Sequence, residues 1–140
     1  ALELGADYAF DPLTQDLYRE VRKILPDGPR VIMDCSGVPR VVEESVRQVR
    51  WGGRVVLFGI CPADQDISIA PAYINDREIT LCGSYDYIQL HQAAIDLIAA
   101  GRLRVQPLIS HTFPLTAYEQ AFATFGTSRS MKIMLLPNEA

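Results

Sequence analysis

Cysteine and histidine are scarce in this sequence, and their spacing matches no familiar metal-binding or disulfide pattern. The three cysteines lie far apart, and His91 and His111 are separated by 20 positions. A structural zinc site needs closely spaced ligand pairs, and a disulfide scaffold needs many cysteines in a short chain. We therefore expect no metal site formed by this chain alone, and we interpret Cys35, Cys61 and Cys82 as small buried hydrophobic residues near strand ends.

Long apolar runs and an excess of basic residues are lacking as well. No run approaches the roughly 20 residues that span a bilayer, and residues 1–5 lack the basic and then apolar layout of a secretory signal. The 140 residues carry 13 Lys and Arg against 17 Asp and Glu, so a basic surface for nucleic acid is not expected. These absences favour a cytoplasmic protein that binds neither membrane nor nucleic acid.

Motifs that cradle phosphates or expose a nucleophile are missing too. The chain contains no Gly-x-Gly-x-x-Gly turn, no Gly-x-x-x-x-Gly-Lys-Ser/Thr loop and no Gly-x-Ser-x-Gly elbow. An anionic ligand would therefore need a site of another kind.

Apolar residues are plentiful, at 49% of the chain, which is enough to form the core of one globular domain over residues 1–140. Short β-branched runs alternate with stretches of helical spacing. The predicted strands are Asp7–Phe10, Arg30–Cys35, Arg54–Phe58, Glu78–Cys82, Leu108–Phe113 and Met131–Leu136. This alternation is typical of an α/β fold with a doubly wound parallel sheet.

Helix boundaries are indicated by residues that favour caps and turns. Thr14 is expected to cap the first helix, Pro39 to open the second, and Gly101 to close a later helix that begins near Leu90. The pattern Thr116-Ala117-Tyr118-Glu119 predicts a capping box at the start of the last helix. In the second helix, valines at helical spacing predict a buried stripe: Val42, Val46 and Val49.

The segment between the second and third long strands is less regular. Ile67 and Ile69 alternate with Ser68 and Ala70, which predicts a short strand exposed on one face. Such a strand would present a free edge to a partner.

Three of the predicted strands end in glycine-containing loops, which are Cys35-Ser36-Gly37, Phe58-Gly59-Ile60 and Cys82-Gly83-Ser84. Ligands of open parallel sheets bind at the carboxyl ends of the strands, and glycine lets the backbone approach a flat ligand closely. A nucleotide or nicotinamide held by main-chain groups is one interpretation, and ordinary turn chemistry is the other. Asp34, at a strand end, is a candidate catalytic acid or ribose ligand, or else a loop-capping acceptor.

Taken together, these segments resemble the medium-chain dehydrogenase/reductases, the zinc-type alcohol dehydrogenase superfamily. The resemblance covers nearly the whole chain in order. It is carried by Leu4-Gly5-Ala6-Asp7, Val31-Ile32-Met33-Asp34-Cys35-Ser36-Gly37, Gly52-Gly53-Arg54-Val55-Val56-Leu57-Phe58-Gly59 and Arg77-Glu78-Ile79-Thr80-Leu81-Cys82-Gly83-Ser84-Tyr85. The later stretch Pro107-Leu108-Ile109-Ser110-His111-Thr112-Phe113-Pro114-Leu115 is similar to the polyol and threonine dehydrogenase branch.

The resemblance implies the carboxyl-terminal part of such an enzyme. Residues 1–140 would then be an incomplete Rossmann-type sheet, without the first strands and the glycine-rich turn, followed by a strand-helix-strand extension. In the family strand order, two absent strands would separate the Asp7–Phe10 strand from the Arg30–Cys35 strand.

The resemblance also implies which residues contact the cofactor, NAD or NADP. Cys35, Ser36 and Gly37 would border its adenosine part. The residues facing the nicotinamide would be Phe58, Gly59, Ile60, Ser84 and Tyr85. Lys132 would lie near the pyrophosphate, unless it is only a solvated edge-strand lysine. Asp86 stands where polyol dehydrogenases often have arginine, which departs from the family pattern.

The implied reaction is hydride transfer between a secondary alcohol or polyol and NAD(P)+, with a zinc ion polarising the alcohol. Neither the zinc ligands nor the catalytic residues would lie in this chain, and a homo-oligomer would form through the Asp66–Pro71 region. Two alternatives stay open. The chain is a non-catalytic structural or interaction module that uses an open sheet edge, or it is part of a zinc-free, quinone-reductase-like enzyme.

Overall fold

The computed structural model describes residues 1–85, 90–127 and 129–138. The chain divides into two compact units, Ala1–Asp86 and Tyr87–Ala140. Asp86, which departs from the family pattern in the sequence analysis, lies outside the described residues.

The first unit is built on a parallel three-stranded sheet. Its strands are β1 (Val31–Asp34), β2 (Arg54–Leu57) and β3 (Thr80–Gly83), in the order β1-β2-β3. The helices of this unit are α1 (Leu17–Ile24), α2 (Pro39–Gln48) and α3 (Pro71–Asp76). A short 3-10 turn, Leu2–Leu4, precedes them and ends at Gly5, which has a φ of 104°. The three strands lie within a residue or two of their predicted bounds, so the α/β prediction is confirmed.

The core of the first unit lies between α2 and the sheet. Val46, Val49, Val55 and Ile79 form a buried cluster, and Val42 is buried as well. The predicted valine stripe of α2 is therefore confirmed, as is Pro39 at the first position of that helix. Proline suits this position because its fixed φ matches the helix and its missing N–H would have no helical partner.

The cap of α1 differs from the prediction. The N-cap residue is Asp16, whose carboxylate accepts a hydrogen bond of 3.1 Å from the Arg19 N–H. Thr14 lies in the preceding turn, where its hydroxyl points to the Asp11 carbonyl at 3.4 Å. The prediction that Thr14 caps α1 was wrong. Asp is at least as good an N-cap residue as Thr, so the residue that caps the helix depends on where the helix actually begins.

Asp16→Ala is expected to lower the free energy of unfolding by about 1 kcal/mol, the typical loss for an N-cap side chain. The measurement is urea denaturation of the wild type and the variant. Thr14→Ala is the matched control and is expected to change stability far less. Equal losses for the two variants would contradict the assignment of the cap.

The predicted first strand, Asp7–Phe10, is not a strand. Residues 7–10 have no strand partner among the described residues, and the rings of Tyr8 and Phe10 stack on each other with centroids 6.3 Å apart. An apolar cleft of about 320 Å³ lies between these two rings, α1 and β1. A segment with strand-like composition forms a strand only when a neighbour supplies hydrogen bonds, and none does here.

The predicted exposed strand at Ile67 and Ile69 is also wrong. The Ser68 N–H donates to the Glu43 carboxylate at 2.7 Å, and Ile69 packs against the buried core. The segment is thus held by a side chain of α2 rather than by a strand ladder. It leads into α3, which the sequence reading missed although Pro71 occupies its first position.

The second unit contains a parallel strand pair with a helix between the strands. Its elements are α4 (His91–Ala99), β4 (Ile109–Pro114), α5 (Tyr118–Phe125) and β5 (Lys132–Leu136), with 3-10 turns at Gln106–Leu108 and Leu115–Ala117. Ala121 of α5 is buried, and Gly101 closes α4 with a φ of 68°. The predicted strand-helix-strand extension is confirmed.

Two details of the second unit differ from the sequence reading. Leu90 and Ile98 stand at the helical spacing that predicts a buried face, yet both are exposed. The predicted capping box is absent: α5 begins after Ala117 with no side-chain cap, because Thr116 lies inside a 3-10 turn. Glu119 instead accepts a hydrogen bond from the Tyr118 hydroxyl at 3.3 Å.

Candidate functional site

The carboxyl ends of the three parallel strands meet at one edge of the first unit, and we call this the carboxyl edge. It comprises the loops of residues 35–37, 58–60 and 84–85. The N–H groups of Phe58 and Gly59 donate to the Asp34 carbonyl at 3.0 and 2.7 Å, and the Ser84 N–H donates to the Leu57 carbonyl at 2.9 Å. Backbone hydrogen bonds therefore tie the loops of residues 58–60 and 84–85 to the neighbouring strands.

Asp34 organises the first of these loops. The side chain is buried, and its carboxylate accepts three hydrogen bonds, from the Ser36 N–H at 3.1 Å, the Ser36 hydroxyl at 2.6 Å and the Gly37 N–H at 3.2 Å. A carboxylate with this many local donors is a loop cap. The structure thus favours the loop-capping interpretation over a catalytic acid or a ribose ligand.

Gly37 and Gly59 allow two loops to interlock. Gly37 has a φ of 66°, and a Cβ there would lie 2.9 Å from the Ile60 carbonyl carbon. A Cβ at Gly59 would overlap the Gly37 nitrogen and lie 2.8 Å from the Cys35 carbonyl carbon. These glycines are required by the close approach of backbone to backbone. At Gly83, by contrast, a Cβ would have no neighbour within 4 Å.

Large apolar side chains are exposed along the carboxyl edge. Phe58, Ile60 and Tyr85 are 57%, 76% and 80% exposed. Cys35 is exposed, and Cys61 and Cys82 are half-buried. The interpretation of all three cysteines as buried residues was wrong: Cys35 and Cys61 lie in loops that follow strands, and Cys82 lies in β3, of which no residue is fully buried.

Of the nine residues predicted to contact a cofactor, eight lie on the carboxyl edge. These are Cys35, Ser36, Gly37, Phe58, Gly59, Ile60, Ser84 and Tyr85. Lys132 is the exception, since it opens β5 in the second unit. It is exposed, and its carbonyl accepts a hydrogen bond from the Ser110 hydroxyl at 3.2 Å.

Metal-binding residues do not cluster in the part of the chain that the structure describes. Over residues 1–85, 90–127 and 129–138, no group of three or more His, Cys, Asp or Glu side chains is placed to hold a metal ion. In the same residues, no helix combines the length and apolarity needed to cross a membrane.

A match to a family model shows the family to which this chain belongs. The model described as zinc-binding dehydrogenase matches residues 1–100. The chain belongs to the zinc-binding dehydrogenase family. The resemblance to the zinc-type alcohol dehydrogenases is thereby confirmed, including its assignment to the carboxyl-terminal part of such proteins.

Relatives in sequence include several polyol dehydrogenases. Sorbitol dehydrogenase of Gallus gallus is 33% identical over 138 residues, which are 96% of this chain and 38% of the relative. Sorbitol dehydrogenase of Homo sapiens is 31% identical over the same shares. The chain thus spans about two fifths of the length of these relatives.

Solved structures of zinc-binding dehydrogenases share this fold. One from Sinorhizobium meliloti 1021, solved with NADP bound, has a TM-score of 0.89 and 28% identity over 97% of this chain and 41% of its own. The alcohol dehydrogenase TADH of Thermus sp. ATN1 superposes with a TM-score of 0.87 at 24% identity over 96% of this chain and 39% of its own. The Rossmann-type fold class is therefore confirmed.

Proposed function

We propose that this chain forms one side of the cofactor site of an NAD(P)-dependent alcohol or polyol dehydrogenase. The observation that carries the proposal is the carboxyl edge, where two interlocked loops present Phe58 and Ile60 to solvent and the third loop presents Tyr85. Exposed apolar side chains beside a rigid backbone suit a flat, partly apolar ligand. In open parallel sheets this edge is the usual ligand site.

The proposed contacts follow the cofactor along the carboxyl edge. Cys35, Ser36 and Gly37 border the adenosine, and the nicotinamide lies against the residues Phe58, Gly59, Ile60, Ser84 and Tyr85. The N–H groups at three of these positions are already engaged within the loops. Their carbonyl oxygens are therefore the main-chain groups proposed to accept the carboxamide N–H of the nicotinamide.

The pyrophosphate contact is proposed at Lys132, whose ammonium group carries three hydrogen-bond donors. Lys132 is the first residue of β5, and it is exposed, so its side chain is accessible to a ligand. The described residues contain no phosphate-cradling turn of their own. The remaining oxygens of the pyrophosphate are therefore proposed to be bound by other parts of the complete enzyme.

Zinc does not fit the residues described here, because they form no ligand group. In the proposed enzyme the metal is held by other parts of the protein, where it would polarise the alcohol oxygen. What this chain contributes is the binding and orientation of the nicotinamide that accepts the hydride.

The enzyme is further proposed to be a cytoplasmic homodimer that pairs through the Asp66–Pro71 region. Ser68 is exposed in this segment, and its N–H donates to the Glu43 carboxylate, which anchors the segment to α2. Ser68→Arg places a like charge on both sides of a twofold axis and is expected to shift the complete protein from dimer to monomer in light scattering. Asp64→Arg is the control, and a dimer that survives Ser68→Arg would contradict this interface.

The test of the activity uses the complete protein with sorbitol or D-arabinitol and either NAD+ or NADP+. The expected result is polyol-dependent formation of reduced nicotinamide, which a zinc chelator abolishes. Turnover that survives the chelator would indicate the zinc-free reductase. No reduction or oxidation of a nicotinamide cofactor with any alcohol, aldehyde or quinone would overturn the proposal.

An interaction module is the second candidate, and the open edge of β1 favours it. Val31 and Met33 on this strand are each more than half exposed. Unpaired edges of this kind template association with other strands. A chain that self-associates through β1 and shows no affinity for NAD(P) would support this candidate.

A further inference from the structure

A second concave site lies at the opposite edge of the sheet, where β1, β2 and β3 begin. It is a cleft of about 590 Å³, within the range of small-molecule sites. Four arginines line it: Arg22, Arg47, Arg50 and Arg77. We call it the arginine cleft. The single carboxylate among its lining residues is that of Asp27.

Two of the four guanidinium groups are held in place by the fold. Arg22 donates to the Pro26 carbonyl at 2.7 Å and to the Gln48 carbonyl at 3.2 Å, which anchors it between the ends of α1 and α2. Arg77 lies over the ring of Tyr73, 3.9 Å from its centroid, and 5.7 Å from the centroid of Trp51. Because these groups are already ordered, a ligand that meets them loses little side-chain entropy on binding.

The side chains of the other two arginines are free to bind a ligand. Arg47 and Arg50 are exposed, and their side chains make no hydrogen bond or ion pair with another described residue. Four positive charges thus share a cleft with one carboxylate, in a chain whose net charge is −4. Like charges at close range repel one another, so an anion in the cleft would relieve this repulsion.

We propose that the arginine cleft binds a small anion that carries two or more phosphate groups. The planar fork of a guanidinium matches the oxygen spacing of a phosphate and can bind it through two parallel hydrogen bonds. The free forks of Arg47 and Arg50, together with the charges of the ordered Arg22 and Arg77, provide for more than one phosphate. Since the cleft lies at the edge opposite the proposed cofactor loops, the inference is independent of the proposed function.

The test uses Trp51, the only tryptophan of the chain, which lines the cleft and is 71% exposed. Inorganic pyrophosphate is titrated at constant ionic strength while the tryptophan fluorescence is recorded. We expect a saturable change in fluorescence. In Arg47→Gln/Arg50→Gln the dissociation constant is expected to rise at least tenfold.

The matched control is Arg19→Gln/Arg102→Gln, which removes the same charge from two arginines outside the cleft lining. Its dissociation constant is expected to stay within twofold of the wild type. Absence of a saturable change, or equal weakening by the two double variants, would overturn the proposal. If circular dichroism shows that the cleft variant does not fold, each single substitution replaces it, with an expected threefold weakening.

Discussion

Replacing Gly59 with alanine is expected to lower the free energy of unfolding of the first unit by about 3 kcal/mol, the upper end of the usual cost of overpacking. A Cβ at this position would overlap the Gly37 nitrogen and crowd the Cys35 carbonyl carbon, and both are backbone atoms. Neither can move without pulling the loop of residues 35–37 away from β2. The same displacement is expected to abolish binding of the cofactor at the carboxyl edge.

The measurement is urea denaturation followed by the fluorescence of Trp51, which reports on the first unit. Gly83→Ala is the matched control, since it changes a glycine at the same edge where a Cβ would have no neighbour within 4 Å. It is expected to leave the stability nearly unchanged. Similar midpoints for Gly59→Ala and the wild type would show that the two loops do not interlock as described.

Asp34→Ala is expected to destabilise the first unit by about 3 kcal/mol. The buried carboxylate accepts three hydrogen bonds, and each hydrogen bond to a charged group contributes about 1.5–3 kcal/mol, although contributions within one loop do not add fully. The variant loses all three bonds and leaves the loop of residues 35–37 without its cap. A large loss of cofactor affinity is expected together with the loss of stability.

Asp34→Asn separates the hydrogen bonds from the charge. The amide oxygen can still accept hydrogen bonds, whereas the amide nitrogen cannot. The free energy of unfolding of this variant is therefore expected to lie between those of Asp34→Ala and the wild type. Asp64→Ala, at an exposed carboxylate of the same unit outside the proposed dimer region, is the control and should change stability by less than about 0.5 kcal/mol. If Asp34→Ala proved as stable as the control, Asp34 would not be the cap of this loop.

The elements that were predicted well are those whose evidence is local. The valine spacing of α2, Pro39 at its start and the β-branched runs of β1, β2 and β3 each indicate an element without reference to the rest of the chain. Each strand also has a parallel neighbour that completes its hydrogen bonds. In these elements local preference and tertiary packing agree.

The two wrong strand predictions fall where distant residues decide. Asp7–Phe10 has the composition of a strand but no strand partner among the described residues. Ile67 and Ile69 alternate with small residues as in a strand. The backbone of this segment is nevertheless held by a hydrogen bond from Ser68 to Glu43, 25 positions away. No local pattern contains such contacts, so periodicity alone could not reveal them.

The strand-end glycines predicted that the candidate residues share one edge of the sheet, and eight of the nine lie on the carboxyl edge. That this edge binds a cofactor stays a prediction. The reason for Gly37 and Gly59 was different from the one expected, because they accommodate another loop rather than a ligand. The arginine cleft was not predicted, since its arginines come from separate segments of the chain that only the fold brings together.

The most direct test of the proposed cofactor site is a titration of the chain with NAD+, and in parallel NADP+, followed by two-dimensional amide NMR spectra. This method detects weak binding residue by residue. We expect concentration-dependent shifts for the amides of residues 35–37, 58–60 and 84–85. Shifts confined to the arginine cleft, or no shifts up to the solubility limit of either cofactor, would contradict the proposed site.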